Sequence, residues 1–377
     1  RAQGGRTTRK RGTCRLQRRG SRVRSFERSI DQWREIERGL KTTLEEIDDE
    51  RDRFGDVEAR LLAAVRGLSQ LDLGPPLDVM PPADGTHSIP VPQAEALDVS
   101  VRHALGHSAA GHRDVRQRIA EEYERMELSS ELLKEMHGKV LGANVPDAGK
   151  FRTSRSHFPE FDADGNWIAS SLTIPPADVP LYVDHLHERF SALMKSNAVH
   201  PLLPIAGFAF DFFRIHPFWD GNGRVTRLAL LLLLHKSGYH IGRYISIEGA
   251  INVRRVAYLK AIMKTKDGWI AGRHDLRPWC TFVVELIRDA YQELSDRTTA
   301  LAETARHFGA VAEALAGMPE RFPAAELISR IPDVPDTLTR TVLNRMRRQG
   351  RLRAALSEME VEWRKVDPTA LNASPRT

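Results

Sequence analysis

The sequence predicts a mainly α-helical protein with a β-hairpin laid on it, and three observations point to that class. Apolar residues recur with a period of seven from Phe26 to Leu68. Leu228 to Leu234 is an unbroken apolar run that would bury a helix on every side. Two short extended runs, His157–Phe161 and Trp167–Leu172, flank an Asp-Gly turn.

The chain has 377 residues and a mass of 42.5 kDa, which suits two or three domains. Its longest apolar run is far below the roughly 20 residues that a bilayer span needs, and no signal peptide opens it. No membrane association and a cytoplasmic location are therefore expected. Cys14 and Cys280 stand far apart, so no disulfide framework is expected and both should be inert. The formal charge of +6 is local: ten basic residues precede the first acid, Glu27, and the remaining 46 basic and 50 acidic residues leave −4.

Residues 1–25 combine one sign of charge with no apolar periodicity and are expected to be a disordered basic tail. Such a tail could touch nucleic acid or anionic surfaces; a solvated leader, or an upstream stretch outside the working protein, is the simpler reading, and the chain starts without Met. Over 26–68 the heptad residues Phe26, Trp33, Leu40, Ile47, Phe54, Leu61 and Leu68 are apolar. The companion seam at Ile30, Glu37, Leu44, Arg51, Glu58 and Val65 is half charged. One long amphipathic helix or a pair should result, with Gly39 and Gly55 as weak points. Self-association as a homodimeric coiled coil and packing against the protein's own core both fit the pattern. Residues 69–111 should be a connector, rich in Pro and Gly between Gly74 and Pro92.

A domain over 112–305 follows. Helical patterning resumes near His112 and strengthens over Ser129–His137, where Ser129 or Ser130 can cap. The hairpin turn Asp162–Asn166 resembles the start of a calcium loop, yet its glycine is at the wrong step and Thr173 stands at the twelfth position, which argues against calcium. Asp178 opens a helix toward Leu193, Pro201 starts the helix entering the motif, and Ile247–Lys264 and Trp279–Ala302 continue the helical pattern. Residues 318–367 change character: a short helix over Pro323–Ile331, a helix capped by Asp336 that carries Leu338, Val342 and Met346 on one face, then strands Arg351–Leu356 and Val361–Val366. Helix, turn, helix and hairpin is a winged-helix-like order. With Arg340, Arg345, Arg347 and Arg348 on the outer side of the second helix, it offers DNA as a possible partner.

The densest chemistry lies in Ile215-His-Pro-Phe-Trp-Asp-Gly-Asn-Gly-Arg-Val-Thr-Arg227. Gly221 and Gly223 would let backbone N–H groups turn inward at a helix N-terminus, which favours an anion. Arg224 and Arg227 share a face and can reach phosphate oxygens. Asp220 beside such a nest makes sense as a Mg²⁺ ligand. His216, neutral at working pH, can accept a proton from an attacking hydroxyl. Phe218 should anchor the loop in the core. A triphosphate is the ligand these residue types fit.

The His-Pro-Phe-Trp-Asp-Gly-Asn-Gly-Arg-Val-Thr-Arg string fills every fixed position of the Fic signature, and residues 129–295 resemble a Fic domain. The resemblance implies a Fic-type helical bundle with a β-hairpin flap, preceded by long amphipathic helices and followed by the winged-helix-like unit. It implies transfer of AMP from ATP to a Ser, Thr or Tyr hydroxyl of a target protein. His216 would be the base, Asp220 the Mg²⁺ ligand, Asn222, Gly223 and Arg224 the cradle of the α/β-phosphates, and Arg227 the γ-phosphate contact, with Gly221 also counted among the nucleotide-binding residues. It also makes the hairpin, with Phe158, Phe161, Trp167 and Ile168, the flap on which the target docks. Gly223, where phosphate-transferring relatives such as Doc carry Lys, favours AMP transfer. The inhibitory Ser/Thr-x-x-x-Glu-Gly/Asn string of many Fic proteins is absent: Thr42–Glu46 is followed by Ile47 and Thr299–Glu303 by Thr304. Two alternatives are a DNA-binding regulator with a nucleotide-sensing pocket, and removal of AMP in the same pocket, which the missing glutamate disfavours.

Overall fold

The computed structural model describes residues 24–70, 99–161, 167–357 and 360–366. Most of the basic tail, residues 71–98 of the connector expected over 69–111, Cys14 and the Asp162–Asn166 turn lie outside the described residues; residues 69–70 and 99–111 are helical rather than connector. The chain is mainly helical. After a short 3-10 turn at Arg24–Glu27 come α1 (Ile30–Gln70), α2 (Val99–Glu122) and α3 (Ser130–Leu141), then the antiparallel hairpin β1 (His157–Phe161) and β2 (Trp167–Leu172). Helices α4 (Val179–Ser196), α5 (Leu202–Ile215), α6 (Asn222–Lys236), α7 (Ile247–Val253), α8 (Arg255–Lys266) and α9 (Arg277–Ala316) complete the central part.

Helix α1 is unbroken over 41 residues. Gly39 and Gly55 do not interrupt it; both are solvent-facing with open space around them. Its stripe packs along α9 and the protein's own core rather than standing out for a second copy: Trp33, Leu40, Ile47, Phe54 and Leu61 are buried. The half-charged seam has a use that its composition hides. Glu37 accepts the backbone N–H of His200 at 2.8 Å, Arg51 donates to the Tyr239 hydroxyl at 3.2 Å, and Glu58 accepts the Tyr244 hydroxyl at 2.6 Å. Charged residues on this edge thus satisfy polar groups where the helix meets the core.

Helices α5 and α6 form the centre. Leu228 to Leu234 are all buried, as their unbroken run requires. Gly207 on α5 admits Trp33, because a Cβ there would lie 2.8 Å from the indole. Asp211 is buried on α5 and accepts from the Ser25 N–H at 2.9 Å, the Ser25 hydroxyl at 2.6 Å and Trp269 Nε1 at 2.7 Å. This corrects the boundary of the expected tail: residues 24 and 25 are ordered, because a buried carboxylate holds Ser25. Long-range hydrogen bonding of this kind leaves no periodicity for a sequence to display.

In the C-terminal part, β3 (Arg321–Pro323), α10 (Ala324–Arg330), α11 (Asp336–Arg348), β4 (Leu352–Ser357) and β5 (Glu360–Lys365) form a three-stranded antiparallel sheet of order β3-β5-β4 with two helices inserted between β3 and β4. Phe322, Leu327, Val342, Leu343, Met346 and Trp363 fill its interior. Strand β3 was not expected. Asp336 is the first residue of α11 rather than its cap, which is Pro335 and makes no side-chain capping bond. Helix α9 runs without a break past residue 305, where the sequence suggested that the central domain ends.

Candidate functional site

The motif forms the corner between α5 and α6, and the chain folds it by two left-handed residues. His216 ends α5 at φ 52°, and Gly221 precedes α6 at φ 76°. Gly221 needs to be glycine on two counts, since a Cβ would also lie 3.3 Å from His137 Cδ2. Gly223 differs from the sequence expectation: it takes no positive φ, and its missing side chain instead makes room for the Arg227 guanidinium, 3.1 Å from where a Cβ would be.

The loop between these residues is held by its own backbone groups. Arg152 Nε donates to the His216 carbonyl at 2.7 Å, and its backbone N–H to the Pro217 carbonyl at 2.9 Å. Those carbonyls stand at the end of α5, where intrahelical donors run out. Asn222 closes the loop from the other side: its Oδ1 accepts the Phe218 N–H at 2.9 Å and its Nδ2 donates to the Phe218 carbonyl at 2.8 Å. Phe218 is fully buried and stacks on His137 at 3.8 Å with planes 4° apart. His137 Nδ1 accepts the Gly149 N–H at 2.9 Å, so its proton is on Nε2, which faces the Asp220 carbonyl at 3.0 Å. Burial holds that imidazole neutral, with its pKa lowered to about 4.

His216 lies at the rim of the same loop. Burial lowers its pKa to about 4, with Arg152 and Arg214 acting in the same direction, so the ring is neutral near pH 7. Its Nδ1 faces the Phe213 carbonyl at 3.4 Å, which calls for a proton on Nδ1 and leaves the lone pair on Nε2. Beyond the loop the first N–H groups of α6, from Asn222 to Arg224, precede the point at which intrahelical bonding begins, with the Val225 N–H on the Gly221 carbonyl at 3.0 Å. The neutral His216 imidazole and the N-terminus of α6 therefore stand at the two ends of one locked corner.

The two motif arginines hold different carboxylates. Arg224 Nη2 is 3.0 Å from Asp220 Oδ2, and Asp220 is largely exposed. Arg227 Nε is 2.5 Å from Glu248 Oε1 on α7, in a buried pair that also includes His112 Nε2 of α2 at 3.3 Å and a hydrogen bond to Tyr258 of α8. Burial opposes the charge on Glu248, yet Arg227 and His112 together hold its carboxyl down at about 2. Among the described residues no group of three or more His, Cys, Asp or Glu could hold a metal. The lone Asp220 carboxylate fits a cation that takes its other ligands from phosphate oxygens and water.

The hairpin expected over 158–172 forms, with Phe158 opposite Ser171 and Phe161 opposite Trp167, and a register shift between Glu160 and Phe161. Trp219, between Phe218 and Asp220, is 60% exposed. Sequence reasoning missed Glu248. Its position two residues after the capping Ser246, which accepts the Gly249 N–H at 3.0 Å, reads as an acid that suits the helix dipole, and that ordinary role hides the ion pair. Nor does the sequence show how His137 and Arg152 hold the motif, because they meet it across 83 and 64 residues.

Residues 127–234 match the model of the Fic/DOC family. The "Protein adenylyltransferase Fic" of Drosophila ananassae is 30% identical over 117 residues, covering 31% of this chain and 21% of that protein. The "Protein adenylyltransferase fic-1" of Caenorhabditis briggsae is 33% identical over 118 residues, with the same 31% and 21% coverage. The matched part thus spans about a fifth of these relatives' own length. Among solved structures, a Fic family protein from Desulfovibrio desulfuricans G20 aligns over 87% of this chain and 95% of its own, at 16% identity and a TM-score of 0.47. Fic-1 (aa134–508) from C. elegans aligns over 70% and 74%, at 18% identity and a TM-score of 0.43.

Proposed function

We propose that this chain, whose residues 127–234 form a Fic domain, transfers AMP from ATP to a Ser, Thr or Tyr hydroxyl of a target protein. The observation that carries the reading is the locked corner itself: neutral His216 at one end and the N-terminus of α6 at the other, with the backbone between them fixed by Arg152, Asn222 and His137. Fixing these groups before the substrate arrives is what makes them useful, because no reorganisation is needed as charge develops.

In this reading the target hydroxyl donates its proton to His216 Nε2 as its oxygen attacks the α-phosphorus of ATP. A new O–P bond forms, the bond from the α-phosphorus to the bridging oxygen breaks, and pyrophosphate leaves. The target keeps a phosphodiester-linked AMP. The N–H groups of Asn222 and Gly223, with Arg224, would hold the α- and β-phosphates, and Arg227 the γ-phosphate. Asp220 would hold Mg²⁺ against the phosphate oxygens, which supplies charge neutralisation. Asp220 and Glu248 must then give up Arg224 and Arg227, at least in part, to the nucleotide. The hairpin edge would pair with an extended segment of the target, with Phe158, Phe161, Trp167 and Ile168 contributing side chains.

The test is labelling of protein from α-³²P ATP with Mg²⁺ present, compared between the native chain and His216→Ala. Label that enters only with the native chain supports the reading. Equal labelling by a His216→Ala protein that is folded and binds ATP would overturn it.

A further inference from the structure

The C-terminal unit presents a surface that AMP transfer does not use. Helix α11 buries Thr339, Val342, Leu343 and Met346 against the sheet, at i, i+3, i+4 and i+7. The opposite stripe, at 337, 340, 341, 344, 347 and 348, reads Thr, Arg, Thr, Asn, Arg, Arg. Five of the six are exposed and Asn344 is partly so; Arg345, grouped with the other arginines on sequence grounds, lies on the flank. A face that is merely solvated usually mixes acids with bases; here the one carboxylate of α11, exposed Asp336, stands at the helix start one turn before Arg340, and the stripe beyond it carries none. Among the described residues Arg340, Arg345, Arg347 and Arg348 form no salt bridge, whereas arginines on α1 and α9, such as Arg53 and Arg297, sit beside an acid one turn away.

The stripe's composition also selects among polyanions. Thr and Asn are short enough to let a helix backbone approach a base edge, and Asn and Arg are the side chains that contact adenine and guanine bidentately. Thirteen residues make a helix about 20 Å long, which can lie in a major groove about 12 Å wide. Immediately after the helix, Gly350 at φ 74° turns the chain into β4, so that exposed Arg351 and Arg353 follow within a few residues of Arg348. The antiparallel pair β4–β5 is then placed to run beside a phosphate backbone.

We propose that the C-terminal unit binds double-stranded DNA, with the outer stripe of α11 in the major groove and Arg351 and Arg353 on adjacent phosphates. The unit is joined to the Fic domain by the continuous helix α9, so bound DNA would place the adenylylating corner on a duplex. This surface does not depend on the AMP-transfer reading.

The experiment is fluorescence anisotropy of the full-length chain with a labelled 20-base-pair duplex pool, from 50 to 200 mM salt, repeated with Arg340→Ala/Arg347→Ala/Arg348→Ala. These side chains are exposed, so the variant's melting temperature should match the native chain's. The native chain is expected to bind with an affinity that falls steeply with salt, and the variant to bind at least tenfold more weakly across that range. No duplex binding at 50 mM salt overturns the proposal. So does a variant with unchanged affinity and slope, since the ten basic residues ahead of Glu27 would then carry the binding. Equal affinity for single-stranded RNA, lost in the same variant, would assign the stripe to another polyanion and overturn it as well.

Discussion

Glu248 Oε1 accepts a hydrogen bond from Arg227 Nε at 2.5 Å in the interior, so the second motif arginine already has an anion on it. A carboxylate lost from such a pair leaves a buried guanidinium without its countercharge, which costs about 3–5 kcal/mol. Glu248→Ala should therefore melt well below the native chain, and Glu248→Gln, which keeps an acceptor, by less. The same change removes a competitor for phosphate. ATP is expected to bind the Gln variant about tenfold more tightly, a difference of about 1.4 kcal/mol. Calorimetric titration checks this, and an unchanged Kd would mean that Arg227 does not reach the triphosphate.

His216 gives a pH signature. Its lowered pKa of about 4 means that the imidazole is already neutral well below the ordinary histidine range. For AMP transfer, kcat/KM should not fall as pH drops through 6.5, and the acid limb assigned to the free enzyme's base should appear nearer pH 4. A limb centred on 6.5 would show that the acting base is in a different environment.

Gly221→Ala tests the corner. The new side chain would sit at a left-handed φ, which costs about 1–2 kcal/mol, and would press on His137 from 3.3 Å. Melting temperature should fall modestly and labelling severely, because the shift tilts the start of α6. Gly39→Ala on α1, with open space and no such φ, should be neutral or slightly stabilising. The pair of variants separates a helix glycine from a turn glycine.

What was legible in the sequence follows from the range of each interaction. The α1 stripe, the buried run from Leu228 and the Asp-Gly hairpin are local repeats, so periodicity reported them. Arg227 and Glu248 are 21 residues apart, and Arg152 meets the His216 carbonyl across 64, so no spacing rule could pair them. The half-charged edge of α1 looked like a wet seam, because Glu37, Arg51 and Glu58 acquire meaning only from His200, Tyr239 and Tyr244 elsewhere in the chain. Strand β3 spans three residues, too few for an alternation of two to register.

Buried neutral histidines predict an acid-sensitive fold. His137, His235 and His274 are almost fully buried, and burial lowers their pKa values to about 4, 3 and 3. Between those values and the ordinary 6.5 the unfolded chain binds more protons than the folded one, so stability falls as pH drops through that window. Each unit of separation is worth about 1.4 kcal/mol, so moving from pH 6.5 to 5 should cost about 2 kcal/mol per histidine. Asp211 acts in the opposite sense: burial raises its carboxyl to about 6, so its contribution is lost as pH rises from about 4 to 6. His216, lowered to about 4 in the same way, makes four imidazoles against one carboxyl, and urea midpoints should decrease from pH 7 to pH 5. His235→Gln removes one of the four, whose Nδ1 faces His240 Nδ1 at 3.1 Å, and should flatten that decrease by about a quarter. A midpoint that rises on acidification would mean that relief of the buried Asp211 charge outweighs the imidazoles.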